Sequence, residues 1–320
     1  MRKVFILIFV ISTLLAAFYL WWFLGLKAVN TSNKNQVIFV VQKGKGVREI
    51  ANKLKQEELI KDPVVFFLLI KKLGLDGKIQ AGDFRLSPSM SAQDIANALT
   101  HGTVDEWITI PEGKRADEIA DMLKAKIPTY EESWRDLLNK NEGYLFPDTY
   151  LIPKDTDINL ILSIMKNNFE KKIASIPNID KSNLSKKEII TVASLVEREA
   201  KLAKDRPLVA SVILNRYDIS MPLQIDATIQ YALGFQKSEN TWWKKALTIT
   251  DLKIDSPYNT YLHTGLPPTP IANPGFEVIN SVVNPAQTDY LYYISDSTGQ
   301  NHYAKTLNEH NANIKKYGLQ

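Results

Sequence analysis

The sequence predicts an α+β protein with a single N-terminal transmembrane helix, a small α/β subdomain and a larger, mainly helical domain with small β-elements. Three observations support this fold class. The chain opens with an uncharged apolar segment, continues with short strand and helix patterns, and then shows longer helical patterns followed by a proline-rich stretch. The predicted limits are a cytoplasmic tail at 1–3, an anchor at 4–26, a linker at 27–35, the subdomain at 36–103 and the large domain at 104–320.

The apolar segment Val4–Leu26 contains 23 residues without a charge. As a helix it would extend about 34 Å, which is enough to cross a hydrocarbon core of about 30 Å. Arg2 and Lys3 precede the segment, which favours an N-terminus inside the cell and the remainder outside. The alternative is a cleaved signal peptide, but such a peptide has a shorter apolar core and a small-residue cleavage site. We therefore expect an uncleaved anchor.

The composition excludes several functional classes. With 45% hydrophobic and 23% charged residues, the chain is that of an ordinary folded protein, and its net charge of +4 is too mild for a nucleic-acid-binding domain. The sequence contains no cysteine, which excludes a cysteine nucleophile, a thiolate zinc site and a disulfide. The four histidines show no metal-ligand spacing. We therefore predict neither a metal nor a cofactor.

The subdomain begins with a β-strand over Gln36–Gln42, where five consecutive apolar residues occur. Helical patterns follow at Val47–Lys55 and Pro63–Leu73, and a short extended segment at Phe84–Leu86. Ser91 then begins another helix with a capping-box pattern, because Asp94 lies three residues further on.

The stretch Gly44–Leu54 is repeated at Gly113–Leu123, with Gly-Lys, Glu-Ile-Ala and Leu at the same spacings. Each copy follows an extended segment, so the pattern predicts a repeated strand–turn–helix unit in which glycine permits the turn. Chance similarity between two common βα turns is the alternative. Small βα units on the outer face of a membrane are typical of glycan-binding modules such as LysM.

Helical patterns dominate the first part of the large domain, at Ile158–Ile173, Lys186–Ala203 and Arg206–Tyr217. After residue 221 the chain becomes rich in turns and prolines. An aromatic strand at Tyr290–Ile294 and a helix at Leu307–Lys316 complete the predicted elements.

The helix predicted at 186–203 carries a candidate proton donor. At about 100° per residue, Ala193 and Val196 share an apolar face and Glu197 lies at its margin. A carboxyl group there would be partly desolvated, which raises its pKa and lets it donate a proton near neutral pH. On periodicity alone, a solvated edge residue is the better interpretation. Glu199, on the opposite margin, is not excluded.

Proline- and glycine-rich loops after this helix carry Asn, Gln, Tyr and Thr side chains, which commonly line sugar-binding sites. Ordinary loop chemistry is the alternative. Trp242 and Trp243 are either a sugar-stacking platform or a buried hinge.

Taken together, these segments resemble the endolytic murein transglycosylases of the MltG family, also called YceG-like. The resemblance covers nearly the whole chain, including its C-terminal stretch 302–311, and is specific because several long motifs occur in order. Those motifs lie at residues 142–150, 193–199, 215–226, and 258–261 with 265–268. The family implies a single-pass protein of the bacterial inner membrane with a LysM-like subdomain and a lysozyme-like catalytic domain.

The resemblance also implies roles for individual residues. The catalytic glutamate of the family maps onto Glu197, the first glutamate of the Glu-x-Glu step. We predict that the substrate-binding residues are Tyr144, Glu199, Asn215, Gln224, Asp226, Tyr258, Asn259 and Thr260.

The implied reaction is lytic cleavage of the MurNAc–GlcNAc bond in nascent peptidoglycan strands, which forms 1,6-anhydroMurNAc ends and terminates elongation. The implied partners are glycan strands, the inner membrane through residues 4–26, and penicillin-binding proteins or other wall synthases. Two alternatives remain: a lysozyme-like muramidase that uses Asp226 or Glu199 as a second carboxyl group, and a non-catalytic wall-binding scaffold.

Overall fold

The computed structural model describes residues 2–100 and 105–317, and the side chains of these residues other than 2–5 and 8. Helices and small sheets are mixed along the chain, as the sequence predicts. The chain divides into two compact units, Met1–Glu106 and Trp107–Gln320. Within the described residues there are three two-stranded sheets.

The first unit begins with the long helix α1 (Arg2–Leu26), so the predicted N-terminal helix is confirmed. The 18 residues Phe9–Leu26 have a mean hydropathy of 1.9, and this helix is long and apolar enough to cross a membrane. Most of its side chains are exposed in the protein. An apolar helix that the protein itself does not cover is suited to a lipid environment.

The remainder of the first unit packs three helices against an antiparallel pair of strands. The strands are β1 (Val37–Val41) and β2 (Gly82–Leu86), paired so that Phe39 lies opposite Phe84. The helices are α2 (Val47–Gln56), α3 (Pro63–Lys72) and α4 (Ala92–Thr100). Both phenylalanines are buried and lie in one core with side chains from all three helices. The predicted strands and helices of this region are therefore confirmed.

The predicted capping box at the start of α4 is also confirmed. The Ser91 backbone N–H donates to the Asp94 carboxylate at 3.1 Å, and the Asp94 backbone N–H donates to Ser91 Oγ at 3.2 Å. The two side chains satisfy N–H groups that the first turn of a helix leaves without a partner.

The second unit contains four strands and eight α-helices among the described residues, with short 3₁₀ turns between some of them. In chain order they are β3 (Asp105–Thr109, which begins at the boundary), α5 (Ala116–Lys126), α6 (Trp134–Asn139), β4 (Thr149–Pro153), α7 (Ile158–Ile173), α8 (Lys186–Glu199), α9 (Arg206–Asp218), α10 (Asp226–Leu233), α11 (Phe276–Val283), β5 (Tyr292–Ser295), β6 (Asn301–Ala304) and α12 (Leu307–Tyr317). Strand β3 pairs with β4, and β5 pairs antiparallel with β6.

The repeated strand–turn–helix unit is confirmed. Gly44 and Gly113 both adopt a left-handed backbone, with φ of 84° and 73°, between a strand and the helix that follows it. In each copy a glutamate three residues into the helix, Glu49 or Glu118, accepts a backbone N–H at the helix start at 3.2 Å. The repeated sequence thus encodes the same turn and the same helix cap.

Helix α8 lies at the centre of the second unit, packed against α9 and α11. All eight residues from Ile189 to Val196 are buried. The predicted apolar face, which includes Ala193 and Val196, is buried, but burial extends around the helix, because polar members such as Thr191 and Ser194 are enclosed as well. The helix also ends at Glu199 and not at Ala203, because Ala200 leaves the helical conformation with ψ of 91°.

Candidate active site

The C-terminal turn of α8 carries two partly buried glutamates, Glu197 and Glu199. Residues that lie two positions apart along an α-helix differ by about 200° around its axis. The two carboxyl groups therefore have different surroundings.

Glu199 lines a cavity of about 500 Å³ formed by residues from five helices and strands and the connections between them. The residues around it are Glu199, Val212, Ile213, Arg216, Leu223, Gln224, Ile225, Asp226, Tyr261, Tyr293, Ile294 and His310. The lining combines apolar side chains with a few polar and charged groups, as small-molecule sites commonly do.

The Glu199 carboxyl group is held in place by Tyr293, whose hydroxyl donates to Glu199 Oε2 at 2.7 Å. Burial raises the pKa of Glu199, and the negative charge of Asp226 raises it further. The hydrogen bond from Tyr293 and the charge of Arg198 act in the opposite direction, but burial is the largest effect. A raised pKa makes this carboxyl group a better proton donor than an ordinary glutamate.

Asp226, the first residue of α10, is exposed in the same cavity and accepts a hydrogen bond from the Tyr261 hydroxyl. Gln224 precedes it and is also exposed, whereas Ile225 between them is buried. Gln224 has a φ of 55°, a left-handed conformation that is uncommon for a residue with a side chain and is concentrated at functional sites. The extended segment before α10 therefore presents two polar side chains to the cavity.

Arg216 forms the base of the cavity and connects two of its walls. Its Nε donates to the Leu291 carbonyl at 2.6 Å, and its Nη1 donates to the Leu223 carbonyl at 2.7 Å. These bonds tie the strand that carries Tyr293 to the segment that carries Gln224. Arg216 thus positions the cavity walls.

Glu197 has a different environment. Its Oε2 accepts a hydrogen bond from the backbone N–H of Gly275 at 2.9 Å. Burial raises its pKa, the Gly275 bond lowers it, and the nearby charge of Glu112 raises it. A Cβ atom on Gly113 would lie 3.4 Å from Glu197 Cγ, so Gly113 lies beside this side chain, which is partly exposed. The contacts of Glu197 hold the proline-rich loop against α8.

A second buried carboxyl group, Glu142, anchors the same loop. Its two oxygens each lie 3.0 Å from the N–H of Ala116 at the start of α5, and Oε1 accepts from Asn273 Nδ2 at 2.8 Å. Burial raises the pKa of Glu142 to about 8. Glu142 lies in the motif at residues 142–150, but its sequence context does not predict this structural role.

Three predicted substrate-binding residues use their side chains within the fold. The Asn215 amide donates to two backbone carbonyls of the segment before β5, and the buried Asn259 amide donates to the carbonyls of Leu252 and Ile254. Thr260 is buried, and its hydroxyl accepts the N–H of Ile225 at 3.0 Å. These contacts position the segments around the cavity.

Two predicted tyrosines lie outside the residues that line the cavity. The Tyr258 hydroxyl forms a hydrogen bond with Thr269 Oγ1 at 2.7 Å. The Tyr144 ring packs edge-on against the Phe169 ring, with 5.1 Å between the ring centroids. Of the eight predicted substrate-binding residues, the cavity thus brings together Glu199, Gln224 and Asp226.

The two tryptophans are anchored to α5. The indole N–H groups of Trp242 and Trp243 donate to Asp121 and Glu118, each at 2.9 Å. The Arg198 guanidinium lies 3.8 Å from the centre of the Trp243 ring, so that ring face is already covered. These contacts favour the hinge interpretation over a sugar-stacking platform.

Four polar or aromatic cavity residues were not selected from the sequence: Arg216, Tyr261, Tyr293 and His310. Arg216, Tyr261 and His310 lie inside the motifs that carry the resemblance, and Tyr293 lies in the predicted strand Tyr290–Ile294. No residue pattern showed that they meet, because they come from distant parts of the chain. Within residues 2–100 and 105–317, no group of three or more acidic or histidine side chains could hold a metal ion.

A sequence profile of the YceG-like family matches residues 39–316. A Bacillus subtilis (strain 168) protein named endolytic murein transglycosylase is 34% identical, over 91% of this chain and 88% of its own length. A Streptococcus pneumoniae serotype 2 (strain D39 / NCTC 7466) protein of the same name is 31% identical over 92% of this chain. The match spans 60% of that longer relative.

The fold is similar to the crystal structure of a putative yceG-like protein from Listeria monocytogenes. The TM-score is 0.57 with 31% sequence identity, over 87% of this chain and 99% of the other.

Proposed function

The chain belongs to the YceG-like family, and from this membership we propose that it is an endolytic murein transglycosylase that cleaves the glycan strands of peptidoglycan. The single observation that carries the proposal within the molecule is Glu199, a carboxyl group of raised pKa at the wall of a polar cavity. A glycosidic bond needs a positioned proton donor to break, and this residue can supply the proton.

We assign the acid/base role to Glu199 in preference to Glu197, the residue that the sequence motif suggested. Glu199 shares a cavity with Gln224 and Asp226, two residues that the family resemblance predicts to contact substrate. Glu197 is also partly exposed, and its carboxylate accepts the N–H of Gly275. Both glutamates have raised pKa values, so the cavity shared with Gln224 and Asp226 is what favours Glu199.

In the proposed reaction the Glu199 carboxylic acid protonates the oxygen that links MurNAc to GlcNAc, and the bond from this oxygen to C1 of MurNAc breaks. The substrate's own acetamide stabilises the positive charge at C1. The Glu199 carboxylate then takes the proton of the MurNAc 6-hydroxyl, whose oxygen bonds to C1. The product is a 1,6-anhydro end, and the acid is regenerated without water.

Hydrolysis by a lysozyme-like mechanism is the second candidate, and the position of Asp226 in the same cavity favours it. A hydrolase of this type uses two carboxyl groups. Asp226, however, binds the Tyr261 hydroxyl. In the transglycosylase reaction Asp226 instead raises the pKa of the acid.

The proposed cellular arrangement follows from α1 and from the substrate. Helix α1 would anchor the protein in the inner membrane with its N-terminus inside and both units on the extracytoplasmic side. The first unit would act as the LysM-like subdomain and the second as the lysozyme-like catalytic domain. Anchoring near emerging strands would bring the enzyme to penicillin-binding proteins or other wall synthases.

The test is mass spectrometry of muropeptides released from purified glycan strands by the full-length protein in detergent. Transglycosylation gives ends that are lighter than hydrolytic reducing ends by one water. Anhydro ends that require Glu199 support the proposal. Reducing ends would establish the hydrolase instead, and binding without cleavage would establish a scaffold.

A further inference from the structure

A surface on α3 in the first unit is the feature that the catalytic function does not use. Val64 and Leu68 are exposed there, with 54% and 37% of their surface accessible, and Phe67 between them is partly exposed. With Pro63 and Arg48 they line a groove of about 400 Å³. We call Val64, Phe67 and Leu68 the α3 outer face.

The α3 outer face points away from the core of the first unit. Phe66 and Ile70 of the same helix are fully buried in that core. Val64 and Leu68 each lie two positions from one of them, about 200° around the helix. The apolar residues of α3 therefore lie on two opposite faces, only one of which the protein covers.

Helix α3 packs directly on the C-terminal turns of α1. Trp21 Nε1 donates to the Asp62 carboxylate at 3.0 Å, and this carboxylate also caps α3 by accepting the N–H groups of Val64 and Val65. A Cβ atom on Gly25 would lie 2.6 Å from Val65 Cγ2, so glycine is required for the two helices to approach this closely.

The contacts also fix the direction of α3. Trp21 contacts Asp62 at the start of α3, and the neighbouring Trp22 ring lies 5.6 Å from Lys72 Nζ at its end. Two consecutive residues of α1 differ in height by about 1.5 Å, whereas ten residues of α3 extend about 15 Å. Helix α3 therefore crosses α1 and does not run alongside it.

We propose that the α3 outer face is a membrane-interface surface that seats the first unit on the outer leaflet of an anionic bilayer. The proposal rests on the proposed anchoring by α1. If Phe9–Leu26 crosses the bilayer, then Trp21, Trp22 and Gly25 lie at its outer boundary. A helix that crosses α1 at this level lies in the plane of the interface, with its uncovered apolar face toward lipid.

Charge around the surface suits the same occupant. Arg48 lies over the Phe67 ring, 4.9 Å from its centre, and Lys61 is exposed beside the start of α3. Interfacial helices combine an apolar face inserted at the headgroup level with flanking cations that attract anionic lipids. The Asp62 carboxylate beside Lys61 is charged, and the nearby positive charge of Lys55 offsets it.

The test uses the absence of cysteine from the chain. Val64→Cys and Leu68→Cys are each labelled with an environment-sensitive fluorophore in the full-length protein, which is reconstituted in vesicles of phosphatidylcholine and phosphatidylglycerol. The control is Ile38→Cys, equally exposed at 47% on the outer side of β1, whose Phe39 enters the same core. Lipids with a nitroxide near the headgroup report contact by quenching.

We expect blue-shifted emission and at least threefold stronger quenching at positions 64 and 68 than at position 38. If quenching is equally weak at all three positions while the protein still floats with the vesicles, the proposed membrane-interface surface is wrong, but the proposed anchor is not. A protein that fails to float would overturn the anchor and the surface with it. Release of anhydro-muropeptides in detergent tests the catalytic proposal separately.

Discussion

Glu197 and Glu199 lie two positions apart at the end of α8, and their carboxyl groups bind different parts of the fold. Glu197 accepts the backbone N–H of Gly275 in the proline-rich loop, and Glu199 accepts the hydroxyl of Tyr293 on β5. The first contact fixes a loop, and the second lies in a polar cavity. This difference leads to distinct expectations for the two residues.

We expect Glu199→Gln to lower the rate of glycan cleavage at least about 100-fold, because the amide keeps the shape of the side chain but cannot transfer the proton. Glu197→Gln is the matched control. Its amide oxygen can still accept the Gly275 N–H, so we expect activity within about 10-fold of wild type. Release of muropeptides and thermal unfolding are measured for both. The reverse ranking, with both variants folded, would restore Glu197 as the acid.

We expect Tyr293→Phe to move the alkaline limb of the pH–rate profile to higher pH. The tyrosine hydrogen bond stabilises the charged form of Glu199 and lowers its pKa, so its removal raises the pKa. An acid with a higher pKa remains protonated, and therefore active, to a higher pH. The profile of kcat/KM against pH reports this pKa in the free enzyme.

The control variant should move the alkaline limb in the opposite direction. The Asp226 charge raises the pKa of Glu199, so Asp226→Asn should move the alkaline limb to lower pH. If the two variants reduce kcat without moving the limb, Glu199 does not set the pH dependence.

We expect Glu142 to make the folded protein less stable as the pH rises from about 4.5 to about 8. Its pKa in the folded state is about 8, against an ordinary value of 4.5, so in this range the folded state keeps a proton that the unfolded state has lost. Folding then becomes less favourable by up to about 1.4 kcal/mol per pH unit.

Glu142→Gln imitates the neutral acid and removes this dependence. The free energy of unfolding of the variant, relative to wild type, should therefore increase from pH 5 to about pH 8 in urea titrations. A constant difference between the two proteins across this range would show that Glu142 does not retain its proton on folding.

We expect Gly143→Ala to destabilise the protein by about 2–5 kcal/mol. Gly143 has a φ of 87°, and a Cβ atom there would lie 2.5 Å from Pro270 Cγ and 2.9 Å from Ile190 Cγ2. Backbone strain costs about 1–2 kcal/mol, and overpacking against a rigid ring costs about 1–3 more. Denaturant titration measures the loss.

Gly265→Ala separates the two effects, because Gly265 has a φ of 86° but nothing within 4 Å of its Cβ position. We expect this variant to lose only the strain, about 1–2 kcal/mol. Equal losses at both positions would mean that Pro270 moves aside without cost.

Local patterns were sufficient for much of the fold. The strand at the start of the first unit, α7, the cap of α4 and the two glycine turns each depend on residues within a few positions of one another. Short elements such as α6 and α10 were not predicted, because six to eight residues give too little periodicity to distinguish a helix from a loop.

The sequence by itself determined the apolar α1, the repeated strand–turn–helix unit and the ordered motifs that identify the family. Only the tertiary structure decided which glutamate of α8 faces the cavity. Helical periodicity places a residue relative to one apolar face, but all eight residues Ile189–Val196 of α8 are buried. The partner that distinguishes Glu199 is Tyr293, 94 residues further along the chain, and packing of the second unit brings it there.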